Sequence, residues 1–444
     1  MEVYDDQYIM QMIKDEDVEF IRMQFTDIFG TLKNVAVTAS QIDRALGNKC
    51  MFDGSSISGF SDVEESDMYL YPDKETFNIF PWRPQRGKVA RMICDIYNPD
   101  GTPFAGSPRY ILKKVLKEAA DMGYEIYVGP ELEFFLFQLD EDGMPTTKTN
   151  EEGGYFDLAP VDKGENARRD MVLTLEEMGY EIESTHHEMA PSQHEIDFKY
   201  DEAMHTADDI ITFKLVVRSI ANQHGLFASF MPKPVEGVQG SGMHISISMR
   251  GASGANLFCD EHDANGLSPL AYQFMAGVLH HASGMMAITN PLVNSYKRIV
   301  PGFEAPEYIS WSPANRSTYI RIPAAHRDGR RLELRCPDPS ANPYLVLAVT
   351  IAAGLEGIRQ HMTPPAMVSG NLFNMSQEEL KAAGIDTLPT TLSEAIAAME
   401  KDPLVRDVLG EETYGKYLNA KKKEWEAYRR QVSQWEIDRY LNII

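Results

Sequence analysis

Gly129-Pro-Glu-Leu-Glu-Phe-Phe-Leu-Phe137 is the stretch on which the reading of this chain turns. Its composition is that of a strand. On a strand, residues i and i+2 share a face, so Glu131 and Glu133 point the same way, followed on that side by Phe135 and Phe137. Leu132, Phe134 and Leu136 take the other side. Neither face is an ordinary solvent face, yet two carboxylates are set into one of them. Like charges this close repel unless something positive sits between them, and a metal ion is the simplest answer.

Working outward, three more segments set polar groups among apolar ones. His186-His-Glu-Met-Ala-Pro-Ser-Gln-His-Glu-Ile-Asp-Phe198 brings Glu188 and Glu195 to either side of a Pro-Ser turn, where a hairpin would bring them together. Gly240-Ser-Gly-Met-His-Ile-Ser-Ile-Ser248 puts His244, Ser246 and Ser248 on one face. Arg331-Leu-Glu-Leu-Arg335 puts Glu333 and Arg335 on one face and two leucines on the other. Each segment alone reads as a solvated edge or a structural histidine. Recurrence changes that. Carboxylate oxygens with one imidazole suit Mg²⁺ or Mn²⁺, and paired ions of this kind clamp phosphates during transfer. Asn294-Ser-Tyr-Lys-Arg298 and Asn315-Arg-Ser-Thr-Tyr-Ile-Arg321 add guanidinium groups, which bind carboxylate or phosphate in bidentate fashion.

The chain has 444 residues and a net charge of -24, which argues against nucleic acid or an anionic membrane as partner. That length predicts two domains. Cys50, Cys94, Cys259 and Cys336 are far apart, so reduced thiols in a cytoplasmic protein are expected. No secretory leader is read at the start, and Tyr344 to Leu355 reads as a buried helix, too short to span a bilayer. Asp5 to Ile13 predicts an opening helix, Phe20 to Phe29, Val35 to Thr38 and Lys88 to Tyr97 predict strands, and the turn-rich Asn98 to Pro108 predicts the domain boundary. Ser107 and Pro108 predict a helix start and Gly123 its end. Gly410 to Lys416 opens like a phosphate loop, but Tyr417 stands where a hydroxyl residue is needed, and the surroundings read as helix.

These motifs, with Met51-Phe-Asp-Gly-Ser-Ser-Ile57, Pro301-Gly-Phe-Glu-Ala-Pro306 and Asp338-Pro-Ser-Ala-Asn-Pro-Tyr344, resemble class I glutamine synthetases over nearly the whole length. The resemblance implies an α+β protein: a small N-terminal β-grasp domain, residues 1–104, and a larger catalytic domain, residues 105–444, with an antiparallel β-sheet funnel surrounded by helices. It implies ATP-dependent ligation of ammonia to the γ-carboxylate of L-glutamate through γ-glutamyl phosphate. It implies Mg²⁺ or Mn²⁺, two or more per site, and a homo-dodecamer of two hexameric rings with sites between subunits. Carried over by residue, Glu133, Glu188 and Glu195 hold one ion, and Glu131, His244 and Glu333 the second. Arg298 and Arg335, with Glu133, Gly240 and Glu304, bind glutamate. Arg316 and Arg321 meet phosphates, and Glu183, Ser246 and Ser248 lie by the nucleotide. Asp53, Glu304 and Arg316 are the catalytic set. Asp53 comes from the neighbouring subunit and receives ammonium, and Glu304 sits on a flap.

The chain departs from the family pattern at Gln239, at Ala325-His326-Arg327-Asp328 and at Asp62, which is tied to feedback. Phe373 stands where the adenylylated type has its modified tyrosine, so an α-type enzyme without that control is expected. A γ-glutamyl-amine or polyamine ligase of the same family is the alternative enzyme. A catalytically silent structural relative is the other, though such a protein loses metal ligands and all six are present here.

Overall fold

A computed structural model describes residues 4–60, 66–82, 86–303, 305–313, 315–325, 327–368, 370, 372 and 375–444, with backbone alone at 327, 377, 381 and 382. The helix Asp6–Asp15 opens it. Asp5 caps it by accepting from the Tyr8 amide at 2.8 Å, and Ile9 and Ile13, four apart, bury the same face. Six strands follow among the described residues: β1 (Val18–Thr26), β2 (Leu32–Thr38), β3 (Cys50–Asp53), β4 (Asp67–Pro72), β5 (Asn78–Ile79) and β6 (Lys88–Tyr97). They form a sheet ordered β2-β1-β6-β4-β3, with β5 also on β6. β1 and β6 run parallel and the remaining pairs antiparallel. Ile21, Met23, Leu70 and Met92 make its core with Ile9.

The turn-rich stretch leads into the helix Pro108–Asp121. Pro108 takes its first turn, but the Ser107 hydroxyl makes no cap bond. Proline's fixed φ starts the helix without that bond. Gly123 ends the segment at φ +85, a backbone conformation that favours glycine. Ten strands then build the second sheet: β7 (Glu125–Leu139), β8 (Pro145–Thr149), β9 (Ile182–His187), β10 (Gln193–Phe198), β11 (Asp201–Glu202), β12 (Leu226–Ser229), β13 (Met243–Arg250), β14 (Tyr308–Ser312), β15 (Thr318–Arg321) and β16 (Leu332–Leu334). The order is β14-β15-β16-β13-β7-β10-β9, with β8, β11 and β12 also on β7. Among the described strands of this second sheet, only β14 and β15 pair in parallel. Residues 129–137 therefore lie on the central strand, β7.

Leu132, Phe134 and Leu136 are fully buried on the back of β7, in one core with Phe213 and Val217 of the helix Ala203–Gln223. Each contributes about 1.5–3 kcal/mol by burial, which fixes which face of β7 turns to the cavity. The helix Pro343–Arg359 is buried on almost every side and touches the helix Pro269–His280 backbone to backbone. A Cβ on Gly277 would lie 2.0 Å from the Ala353 carbonyl, so this crossing tolerates only glycine. Between the two sheets, the buried Arg109 guanidinium reaches Asp73, Asp95 and Asp208 at 2.6, 2.9 and 2.8 Å, and the Tyr344 hydroxyl donates to Asp208 at 2.6 Å.

Candidate active site

Strand register assembles the site row by row. Glu131 of β7 stands opposite His244 of β13 on one side and Asp197 of β10 on the other. Glu133 stands opposite Glu195, and Glu195 opposite His186. Beyond them Ser246 faces Glu333, and Glu333 faces Arg321. Side chains in one row share a face, so acids far apart in sequence converge. The turn after β9 adds Glu188. These groups open on a cavity of about 590 Å³, lined by Glu131, Glu133, Glu188, Glu195 and Asp197 together with Arg298, Arg316, Arg321, Arg331 and Arg335.

The charges are segregated. On the acidic side, burial pushes the Glu133 carboxyl up to about 8, with the Glu188 charge adding to it. Burial raises Glu195 well above the usual range, and Asp197 and Glu133 raise it further. Asp197 is lifted to about 6, again by burial first. Burial also works against Glu131, but the His244 hydrogen bond at 3.2 Å and the charge of Arg335 hold it down at about 2. Burial and Arg335 drive His244 toward the neutral form. The neutral ring then donates its Nδ1–H to the Glu131 carboxylate, which leaves the Nε2 lone pair free for an ion. Glu131, Glu195 and His244 offer ligand atoms within 4.8 Å of one another, and so do His186, Glu188 and Glu195. Buried carboxylates whose ionised forms repel one another fit a divalent cation, which lets them carry their charges together.

On the basic side, Arg298 is held by backbone carbonyls, with Nη1 donating to Cys336 at 2.8 Å and Nη2 to Arg335 at 3.2 Å. Carbonyls orient a guanidinium without neutralising it, which leaves its charge for an anion. Arg321 and Arg335 share Glu333, at 2.5 and 2.6 Å. The glycines of the Gly-Ser-Gly-Met-His run follow from this crowding. A Cβ on Gly240 would lie 2.3 Å from the Pro232 carbonyl, and one on Gly242 would lie 2.7 Å from Arg298 Nη2.

Of the residues singled out from sequence, Glu131, Glu133, Glu188, Glu195, Gly240, His244, Arg298, Arg316, Arg321 and Arg335 line this cavity, as does Gln239. Glu333 is buried beneath it, its carboxylate taken by the two arginines. Ser246 is buried and accepts from Arg331 at 3.2 Å, Ser248 lies further along β13, and Glu183 is exposed on β9. Asp53 ends β3 in the first sheet, exposed and away from the cavity lining. Hydrogen bonds from the Ser55 hydroxyl and amide hold its carboxyl below the usual range. Glu304, Asp62, His326 and Phe373 lie outside the described residues. Sequence reasoning missed Asp197, His186 and Gln193 as site residues. Gln193 donates to Glu133 at 3.0 Å and to the Gly240 carbonyl at 3.1 Å. Asp197 was legible by the same period-two rule, two positions after Glu195.

Comparison with known proteins identifies the family. The family described as "Glutamine synthetase, beta-Grasp domain" matches residues 17–99, and "Glutamine synthetase, catalytic domain" matches residues 105–440. A glutamine synthetase of Clostridium saccharobutylicum is 59% identical over 442 residues, covering 100% of both chains. A solved structure described as "GmaS/ADP complex-Conformation 1" superposes with a TM-score of 0.90 at 32% identity, covering 99% of this chain and 100% of that one. The glutamine synthetase of Plasmodium falciparum gives 0.87 at 26% identity, covering 99% of each chain.

Proposed function

The chain belongs to the glutamine synthetase family and makes L-glutamine from L-glutamate, ammonia and ATP, and we propose that the divided cavity is where it does so. The observation that carries this is the segregation itself: buried carboxylates with raised proton affinity on one side, and on the other a set of guanidiniums that includes Arg298, held by backbone carbonyls.

In this reading Glu133, Glu188 and Glu195 hold one divalent ion, and Glu131, His244 and Glu333 a second, Mg²⁺ or Mn²⁺ in either place. Bound there, the ions neutralise charge on the phosphoryl group in transit. Glu333 would exchange Arg321 or Arg335 for its ion. Arg298 and Arg335, with Gly240, grip the glutamate carboxylates by bidentate hydrogen bonds. Arg316 and Arg321 draw charge from the phosphate oxygens, so that γ-glutamyl phosphate forms and carries a good leaving group. Ser246, Ser248 and Glu183 border the nucleotide, and the ADP in the name of the GmaS structure supports a nucleotide in this fold. Glu304 is assigned to the flap that keeps water from the acyl phosphate; its neighbour Phe303 lines the cavity.

Asp53 needs a second copy of the chain to reach the chemistry. Its exposed, ionised carboxylate suits ammonium, which must be attracted and then deprotonated. Self-association is also favoured by the chain's end, where Val432, Trp435, Leu441, Ile443 and Ile444 are all more than half exposed. The assembly proposed is the dodecamer of two hexameric rings, with the α-type control that Phe373 implies and the domains divided after residue 104. No helix among the described residues is long and apolar enough to cross a membrane, and a cytoplasmic location completes the proposal.

Phosphate release from ATP and glutamate, compared between ammonium and putrescine for the wild type and Asp53→Ala, tests this. Higher kcat/KM with ammonium, lost in Asp53→Ala, is expected. A preference for putrescine, or an ammonium KM unmoved by Asp53→Ala, would overturn the ammonium assignment.

A further inference from the structure

Behind the β9–β10 hairpin, on the face turned from the cavity, lies a second cluster of titratable side chains. His187 and His194 are paired in register and fully buried, with ring centroids 5.0 Å apart. His187 Nε2 meets Glu151 at 2.9 Å, and its Nδ1 donates to the Glu188 carbonyl at 2.7 Å. The Glu151 carboxylate also accepts from the Ser192 and Gly153 amides. His194 Nδ1 meets Arg168 at 2.7 Å, and Arg168 reaches Asp162 at 2.7 Å.

Glu151, His187 and His194 bring ligand atoms within 4.8 Å of one another, which by distance alone suggests a further ion. The hydrogen bonds argue otherwise. Both His187 nitrogens face acceptors, so both carry protons. Arginine only donates, so His194 Nδ1 accepts and its proton sits on Nε2. Neither ring keeps a lone pair for a metal.

The cluster instead braces the hairpin. Glu188 lies one residue past the end of β9, in the turn, where strand pairing no longer holds it. Its amide donates to the Gln193 carbonyl at 2.8 Å, and its own carbonyl is taken by the His187 ring. On its far side that ring is held by Glu151, and it packs edge-on against His194. We infer that the buried Glu151–His187 pair is a positioning element that fixes the Glu188 backbone from behind, and so aims the Glu188 carboxylate at the ion it shares with Glu133 and Glu195. The inference rests on the metal assignment proposed above. Outer partners that orient metal ligands set affinity as the ligands themselves do.

The test is Mn²⁺ binding to the full-length protein, counted as the loss of the free-ion electron paramagnetic resonance signal, with thermal unfolding measured on the same samples. Glu151→Gln keeps the shape but presents an amide donor to the Gly153 N–H. A weakening of Mn²⁺ affinity by about 10–100-fold is expected. The glutamate KM at saturating Mn²⁺ should stay within about twofold, since Arg298 is untouched, and Glu151→Asp should recover part of the affinity. Glu188→Ala is the control for the underlying assignment. If Glu188→Ala leaves Mn²⁺ binding unchanged, the metal assignment fails. If Glu188→Ala weakens it and a folded Glu151→Gln does not, the positioning role alone is overturned. Should Glu151→Gln not fold, Glu151→Asp carries the same test with a smaller loss. Failure of both to fold would assign the pair to folding and overturn the inference.

Discussion

At Arg109 one guanidinium is shared by Asp73, Asp95 and Asp208; across the cavity five carboxylates stand apart from five arginines. Both clusters have buried members, and both draw their acids from several elements. At the first, opposite charges interleave. Burial opposes the Asp73 charge, but Arg109 holds its carboxyl below the usual range. In the second, acids neighbour acids, and Glu133 rises to about 8. The first arrangement is complete and joins the two sheets. The second is incomplete, and what it lacks on each side is the charge of a ligand. Neutralised charge inside a protein is structure, while charge sorted by sign is a binding site.

Breaking the first cluster should cost most. Arg109→Met takes the guanidinium from three buried or half-buried aspartates, of which Asp95 keeps Lys113 and Asp208 the Tyr344 hydroxyl, and a loss of about 3–5 kcal/mol is expected, read as a large fall in Tm. Adding Asp208→Leu should return part of it. An unchanged Tm would mean that the hub does not hold the sheets together.

The cavity should answer in the opposite sense. Glu133→Gln is expected to lower kcat by about 10²–10³-fold while the metal-free protein becomes more stable, since a buried, repelled carboxylate has been removed. Loss of stability as well as activity would contradict the contrast. Steady-state kinetics and thermal unfolding in chelator check both.

A third test is pH. Between its ordinary 4.5 and about 8, the folded chain keeps a proton on Glu133 that the unfolded chain has released. Stability of the metal-free protein should therefore fall as pH rises through that window. Asp73 runs the other way, stabilising above the usual carboxylate range and losing that as pH falls through its lowered value. Saturating Mn²⁺ should abolish the first slope and leave the second. The smallest effect belongs to an exposed pair. Lys117→Ala removes the Lys117–Asp121 contact, whose side chains are 73% and 66% exposed, and should move Tm by less than about 1 °C.

Much of this was legible locally. Lys88 to Tyr97 is the strand expected, and the period-two rule put Glu131 and Glu133 on one face of what became the central strand. The hairpin joining Glu188 to Glu195 was legible from its Pro-Ser turn. What local pattern could not carry is register between distant strands. Nothing near Glu131 says that it faces His244, 113 positions away, at 3.2 Å. Nor does the chain around Glu333 say that Arg321 and Arg335 already hold its carboxylate. One strand end drifted for a local reason: Phe20 to Phe29 was read as one strand, but β1 stops at Thr26, where the Asp27 carboxylate bonds the Phe29 and Thr31 amides and turns the chain. Asp27 was a turn former hidden inside an apolar run.

The most direct measurement is an anomalous-difference map from crystals soaked in Mn²⁺ with ADP. Two peaks are expected in the cavity, one among Glu133, Glu188 and Glu195 and one among Glu131, His244 and Glu333. A cavity without either peak, with Mn²⁺ bound elsewhere on the chain, would contradict that expectation.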